Sequence, residues 1–412
     1  MEFQVNATQL QNELEKLATY SDVPSPAVTR VVYSATDLAA RRYVKRICRD
    51  AGLAIREDAA GNTFARWIGD DPDLPAIGAG SHIDAIPNAG KYDGTVGVLG
   101  GIEAIRALQR AGFRPRRSIE LLIFTAEEPT RFGIGCLGSR LLAGLLDADA
   151  GTRLRDPQGL TLDEARDLAG FSKPLSGVAL PPGYYAGFIE LHIEQGPLLE
   201  RAGIPLGIVT NIAAPASLNI TLEGEGGHAG GVLMPDRHDA FCAAAELALA
   251  VEAAAQSTGA IDTVATIGMC DVFPGAVNSI PSRVRLSLDV RDTDEARRNS
   301  VLASIQKASG AIAQRRGVRI QSDLVNSDAP AICDTKLIET LSRACEAQGL
   351  RYQRMVSRAY HDSLFMARVM PVAMLFIPCR GGVSHRPDEY ASPEAIANGA
   401  RVLAEALAHL AA

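Results

Sequence analysis

The stretch from Leu74 to Glu128 constrains the fold more than any other part of the chain. "LPAIGAGSH" is a short apolar run that ends at His82. "GTVGVLGGIEAIRALQRAG" follows, with helical periodicity from Thr95 to Arg110 and a closing glycine at Gly112. "SIELLIFTAEE" is a second apolar run that ends at Glu127 and Glu128. A strand, a helix and a strand in this order form a crossover, and crossovers join parallel strands. "GYYAGFIELHIEQG", with His192 near its end, and "VAMLFIPCRGGVSH", with His385 in its trailing loop, read as further buried strands. The expected fold class is α/β: a mixed, largely parallel sheet flanked by helices. Polar residues just past the C-terminal ends of such strands mark the usual place of a site.

Towards the N-terminus, residues 7–19 and 35–52 read as amphipathic helices, and "LAIRED" with "NTFARWIG" as a hairpin. The middle of the chain differs. "ASLNITLEGEGG", "DTVATIGMCDVFPG" and "SRVRLSLDVRD" read as strands. Helices are expected from Asp236 to Thr258 and from Thr293 to Gln314. This order suggests a small inserted α+β domain at 213–328, with a discontinuous first domain over 1–212 and 329–412. A chain of 412 residues is long enough for both.

Composition narrows the function. The net charge of −7 is spread along the chain and no basic block occurs, which argues against nucleic acid as a partner. The opening "MEFQVNATQLQNELEKL" carries no secretory pattern, and no apolar run reaches membrane-spanning length, so no membrane association and a cytoplasmic location are expected. The seven cysteines are scattered without a CxxC pair. Structural disulfides and a cysteine zinc knuckle are therefore not expected. A metal here must be held by histidines and carboxylates.

Of the seven histidines, His82, His192 and His385 follow apolar strands. Glu127 and Glu128 form an acidic pair at another strand end, and Asp93 sits in a glycine turn. Adjacent buried carboxylates are costly unless a cation or proton offsets them. At a strand end, consecutive side chains point to opposite sides, so the two are not expected to do the same job: one binds metal while the other acts as a base. Imidazole and carboxylate donors suit zinc, manganese or cobalt. A carboxylate can bridge two such ions about 3.5 Å apart, which share and acidify a water. Asp84, two residues past His82, is expected to orient that imidazole from behind.

The ordered motifs "SHIDA…KYDGTVGVLGG", "FTAEEPTRFGIGCLGS", "ELHIEQGP", "GEGGHAG" and "GVSHRPDEY" resemble the M20 metallopeptidase-like superfamily. More narrowly they resemble its hydantoinase/carbamoylase branch, with "LHIEQGP" the sharpest marker. The resemblance implies two divalent ions per subunit. His82 and His192 would hold one, Glu128 and His385 the other, and Asp93 would bridge them. Glu127 would be the general base. Gln195, Asn278 and Arg291 would bind substrate, Arg291 through a carboxylate. His228 would reach the partner subunit's site in a homodimer and stabilise the oxyanion. The roles of His361 and Arg380 stay open, and His238 and His409 read as ordinary helix residues.

Two places depart from the family pattern: Ala89-Gly90 before the aspartate turn, and Gly231-Val232 after "HAG". The activity implied is hydrolysis of the ureido C–N bond of a small N-carbamoyl-L-amino acid, releasing the amino acid, carbon dioxide and ammonia. The alternatives are allantoate, ureidoglycolate or β-ureidopropionate as substrate, or acyl amides in an aminoacylase or peptidase.

Overall fold

A computed structural model describes residues 3–412. The chain forms two compact units. The first comprises Met1–Thr210, Ile332–Ser357 and His361–Ala412; the second comprises Asn211–Ala331 together with Arg358–Tyr360.

The first unit is built on a nine-stranded sheet. Its centre is four parallel strands in the order Val372–Ile377, Tyr185–Ile193, Ala76–His82 and Ile119–Phe124. Antiparallel strands extend it: Leu206–Ile212 on one side, Thr63–Trp67 and then Ala54–Glu57 on the other. The mixed α/β class is as expected, with parallel pairing confined to the centre. Every residue of Ala76–His82, Ile119–Phe124 and Val372–Ile377 is buried. That is the mark of strands covered on both faces, and it explains why they read as continuous apolar runs without alternation. The helices Thr95–Arg110 and Pro393–Ala411 pack together and against these strands. The second begins with a Ser392 side-chain cap and proline in its first turn, a helix start that needs no partner from elsewhere. Among the described residues no helix is long and apolar enough to cross a membrane.

The second unit is a four-stranded antiparallel sheet in the order Val264–Phe273, Arg283–Asp292, Ala214–Glu223, Arg319–Ser327. Along Arg283–Asp292, Val284, Leu286, Leu288 and Val290 are buried at every second position. They pack with Leu247, Val301 and Ile305 of the helices Ala240–Gln256 and Glu295–Arg316. Three of the four strands and both helices match the sequence expectation. The fourth strand, "RIQSDLVNS", was not expected. It is an edge strand, mostly exposed, and lacks the two-residue alternation that would announce it.

Candidate metal centre

The parallel order of the sheet brings the chemistry together. His82 is the last residue of its strand and His192 the last but one of the neighbouring strand, so both rings stand at the same sheet edge. The two rings stack with centroids 6.1 Å apart. Asp93 lies in the turn entering helix Thr95–Arg110. Gly94, next to it, has φ +63°, and a Cβ there would lie 2.4 Å from His82 Nε2. Only glycine allows this turn to pass so close to the imidazole. His385 sits in the loop after Val372–Ile377.

Asp93 is the hub. Its Oδ1 lies 3.4 Å from His82 Nε2 and 3.2 Å from His192 Nε2; its Oδ2 lies 3.3 Å from His385 Nε2. Glu128 Oε1 is 3.5 Å from His385 Nε2, and Glu127 Oε2 is 3.7 Å from His82 Nε2. Two sets of donors therefore share Asp93: His82 and His192 on one side, Glu128 and His385 on the other. Gln195 Nε2 and Ser384 Oγ each lie 2.7 Å from Asp93 Oδ2.

The hydrogen positions suit a cation. His192 Nδ1 faces the Ile193 carbonyl at 2.9 Å, and a carbonyl only accepts, so Nδ1 carries the proton. The backbone N–H of Gly94 donates to His192 Nε2 at 3.1 Å, so Nε2 presents its lone pair. His82 Nδ1 likewise donates to the Asp84 carbonyl at 3.1 Å. With Nδ1 protonated, His82 Nε2 faces Asp93 Oδ1 acceptor against acceptor, a mismatch that a divalent ion would resolve; on His192 the same ion would take the Nε2 lone pair that the Gly94 N–H now engages. The donor set of nitrogen and oxygen fits zinc, manganese or cobalt.

The electrostatics agree. Burial pushes Glu127 well above the usual carboxylate range, and neighbouring Glu128, Asp362 and Asp93 add to it against the opposing pull of His82. Burial and then Asp93 lift Glu128 to about 7. Burial opposes charge on His82, yet Glu127, Asp93 and Asp84 hold its imidazolium well above the ordinary value. The hydrogen bond to Asp93 takes His385 to about 9. For Asp93 itself burial works upward, but His192, His385 and His82 hold it well below the usual range. Protons balance this charge cluster where no cation does, and ligation would displace them.

Two expectations need correction. Glu127 and Glu128 do not continue a strand. The strand ends at Phe124, and Ala126 turns with φ +53°. Strict alternation therefore does not separate the two carboxylates, and both reach the same centre. Asp84, for its part, orients His82 through its main-chain carbonyl. Its carboxylate lies 3.7 Å from Nδ1 and instead accepts the backbone N–H groups of Glu127 at 3.3 Å and Glu128 at 3.0 Å. It thus shapes the turn that presents both glutamates.

The remaining residues fall as follows. Gln195, at φ +54°, gives its amide N–H to Asp93, while its Oε1 is buried without a hydrogen-bond partner. His228 and Asn278 are both exposed in the second unit, on paired short segments: Gly227–His228 bonds to Ser279–Ile280, and Ala229 N–H donates to the Asn278 carbonyl. Arg291 is half-buried there, held by Asp289 at 2.8 Å and 3.4 Å and stacked over Tyr360 at 5.5 Å. His361 is buried, its ring 4.5 Å from that of His192 and its Nε2 3.1 Å from Ser357 Oγ. Arg380 lies over Tyr390 and donates to the Asp388 carbonyl at 3.2 Å.

Three participants escaped the sequence reading. Cys136 donates to Glu127 Oε1 at 3.3 Å, while Ser384 and Glu389 support Asp93. Only the position of Ser384 and Glu389 beside His385 in "GVSHRPDEY" offered a signal.

Comparison with known proteins adds a lineage. Residues 78–409 match the family model for peptidase family M20/M25/M40. A ureidoglycolate hydrolase of Arabidopsis thaliana is 54 % identical, over 98 % of this chain and 87 % of that protein. An N-carbamoyl-L-amino acid amidohydrolase of Geobacillus stearothermophilus is 38 % identical, over 97 % of each. Among solved structures, AtUAH in complex with glyoxylate superposes with a TM-score of 0.93 at 54 % identity, covering 100 % of this chain and 99 % of that one. An amidase of the hydantoinase/carbamoylase family from Burkholderia multivorans gives 0.89 at 33 % identity, covering 99 % and 98 %.

Proposed function

The chain belongs to peptidase family M20/M25/M40, a family of hydrolases, and from that premise we propose that it hydrolyses the ureido C–N bond of ureidoglycolate. The observation that carries the substrate is the 54 % identity to a ureidoglycolate hydrolase along nearly the whole chain, against 38 % to an N-carbamoyl-L-amino acid amidohydrolase. Identity thus ranks the alternative above the first expectation. The reaction balances as ureidoglycolate plus water giving carbon dioxide, ammonia and hydroxyglycine. Hydroxyglycine then loses a second ammonia to leave glyoxylate, the compound bound in the similar structure.

The residues that would hold two divalent ions are His82 with His192 and Glu128 with His385, sharing Asp93. Bound there, such ions acidify a water and polarise the ureido carbonyl. Glu127 takes the proton of the attacking water and hands it to the leaving nitrogen. Its raised proton affinity suits that task, and Cys136 fixes its far oxygen. Gln195 Oε1, a buried acceptor without a partner, receives a ureido N–H. Arg291 exchanges its bond to Asp289 for the substrate carboxylate, which its fork matches. Asn278 supports the same end of the substrate.

His228 Nδ1 accepts from Gly230 N–H at 3.1 Å, so the neutral ring carries its proton on Nε2, ready to donate to an oxyanion. We assign that donation to the partner's site in a homodimer formed through the second unit, which serves as lid and dimerisation domain. The seven unpaired cysteines fit a reducing compartment, and we place the enzyme in the cytoplasm.

The direct test is ammonia and glyoxylate release by the chain reconstituted with manganese, zinc or cobalt. The substrates compared are ureidoglycolate, allantoate, N-carbamoyl-β-alanine, N-carbamoyl-L-amino acids and N-acetyl amino acids. Ureidoglycolate is expected to give the highest kcat/KM, by about tenfold or more, on the order of the net worth of one hydrogen bond. A higher value for an N-carbamoyl-L-amino acid returns the first expectation.

The trans role is tested by reassorting His228→Ala with Glu127→Ala subunits. Each parent dimer lacks one group in both sites, while each mixed dimer regains one complete site. Random mixing is expected to recover roughly a quarter of the wild-type rate from parents that are each inactive. Mixed dimers that form and stay inactive would rule out the trans assignment.

A further inference from the structure

Glu389 is buried at 4 % exposure, and nothing in the proposed chemistry uses it. Its contacts are nonetheless aimed at the centre. Oε1 accepts the backbone N–H of Tyr92 at 2.8 Å and of Asp93 at 3.1 Å. Oε2 lies 2.9 Å from Ser384 Oγ, which in turn lies 2.7 Å from Asp93 Oδ2. Glu389 therefore holds Asp93 directly at its main chain, and its Oε2 meets the Asp93 carboxylate at the Ser384 hydroxyl, which has one proton to give to either. The neighbouring turn is fitted to it. A Cβ at Gly90 would lie 2.3 Å from Glu389 Cβ and 2.4 Å from its Oε1. Residue 90 is thus glycine for the sake of this side chain, which accounts for one half of the Ala89-Gly90 pair.

We propose that Glu389 is a positioning residue that sets the Asp93 carboxylate between the two metal positions. This rests on the metal reading of the centre and is independent of the substrate. The physical reason lies in what a shared carboxylate must do. It presents one oxygen to each ion, so a small rotation of its plane weakens both bonds together. Asp93 sits in a turn, where the backbone alone does not fix that plane. Glu389 ties this turn to the loop carrying His385, 296 residues away. Two backbone N–H groups bonded to one buried acceptor oxygen are enough to hold it.

The inference makes length, rather than charge, the requirement. In Glu389→Gln the amide oxygen still accepts both N–H groups. Its nitrogen can donate to Ser384 Oγ, which keeps its own proton for Asp93. In Glu389→Asp the charge remains, but the chain is one methylene too short to serve both ends.

The experiment is divalent-ion binding to the full-length, chelator-treated protein by titration calorimetry, with manganese and with zinc. The EPR spectrum of the manganese-loaded form is recorded alongside. Glu389→Gln is expected within a few-fold of wild type. Glu389→Asp and Glu389→Ala are expected to lose roughly 10- to 100-fold in affinity. Their manganese spectra should change from that of a coupled pair towards the hyperfine pattern of isolated ions, a change that mere loss of stability would not produce. If Glu389→Ala does not fold, the Gln and Asp variants decide between them. Wild-type affinity and coupling in Glu389→Asp overturn the proposal, as does a Glu389→Gln variant as weak as the Asp one. A wild-type chain that binds no divalent ion overturns the metal reading itself, and this inference with it.

Discussion

Replacing Glu127 by glutamine is expected to lower kcat by about 10²- to 10⁴-fold, the contribution of a well-placed general base. That is roughly 3–5 kcal/mol of barrier. The site should otherwise stay intact. Glutamine has the same shape, the Cys136 thiol can donate to its amide oxygen as it does to Glu127 Oε1, and the Glu127 backbone N–H stays on Asp84. KM and the number of bound ions should therefore stay near the wild-type values. The change removes only the ability to accept a proton beside His82 Nε2, where Glu127 Oε2 now stands 3.7 Å away. The measurement is ammonia release at saturating ureidoglycolate, with metal analysis on the same sample. A variant that keeps more than a tenth of the wild-type turnover would remove Glu127 from the role of base. The role would then fall to another carboxylate of the centre.

Replacing Asp93 by alanine is expected to act differently, by emptying the centre. Both donor sets share this carboxylate, so each loses a ligand in one substitution. Metal content after dialysis should fall below that of wild type. The loss in affinity should exceed the roughly 10- to 100-fold that removal of an outer partner costs. Turnover should vanish with the metal. Thermal unfolding gives an independent reading. Wild type should gain about 2.7 kcal/mol of stability at a metal concentration 100 times Kd, and the variant should show no such gain over the same range. Asp93→Asn tests the carboxylate more narrowly. It keeps one acceptor for Gln195 or Ser384, but its amide nitrogen has no lone pair free for a metal. Full metal content in Asp93→Asn would sink the view of Asp93 as the shared ligand. Together the two substitutions separate metal binding from proton transfer.

Much of this centre could be read from the chain because its parts lie at the ends of locally recognisable strands. His82, His192 and His385 each stand at or beyond the end of a run that is buried almost throughout, and such runs announce themselves by composition alone. The turn at Ala126 could not be read. "FTAEE" contains no turn residue, and nothing local asks for a positive φ there. The turn is imposed from a distance: Cys136 N–H bonds to the Glu127 carbonyl at 2.7 Å, Leu137 N–H to that of Ala126 at 2.9 Å, and Gly138 N–H to that of Thr125 at 2.8 Å. Asp84 then takes the two N–H groups that the turn exposes. Glu389 was missed for the same reason. In "RPDEY" it reads as one more loop charge, and its meaning comes from Tyr92 and Asp93, almost 300 residues earlier.

The strand–helix order, the parallel core and the side chains gathered at its edge are written into the chain locally. These depend on hydrophobic periodicity and on the short reach of a crossover, both local properties of the chain. How those side chains face one another came from the folded arrangement. It gave the orientation of His82 to the carbonyl of Asp84 rather than its carboxylate. It turned Glu127 towards His82 and Glu128 towards His385, and it placed Asp93 within reach of all three histidines. Those choices are made by hydrogen bonds and charges acting through space between residues far apart in the chain, and their distances exist only once the sheet has formed.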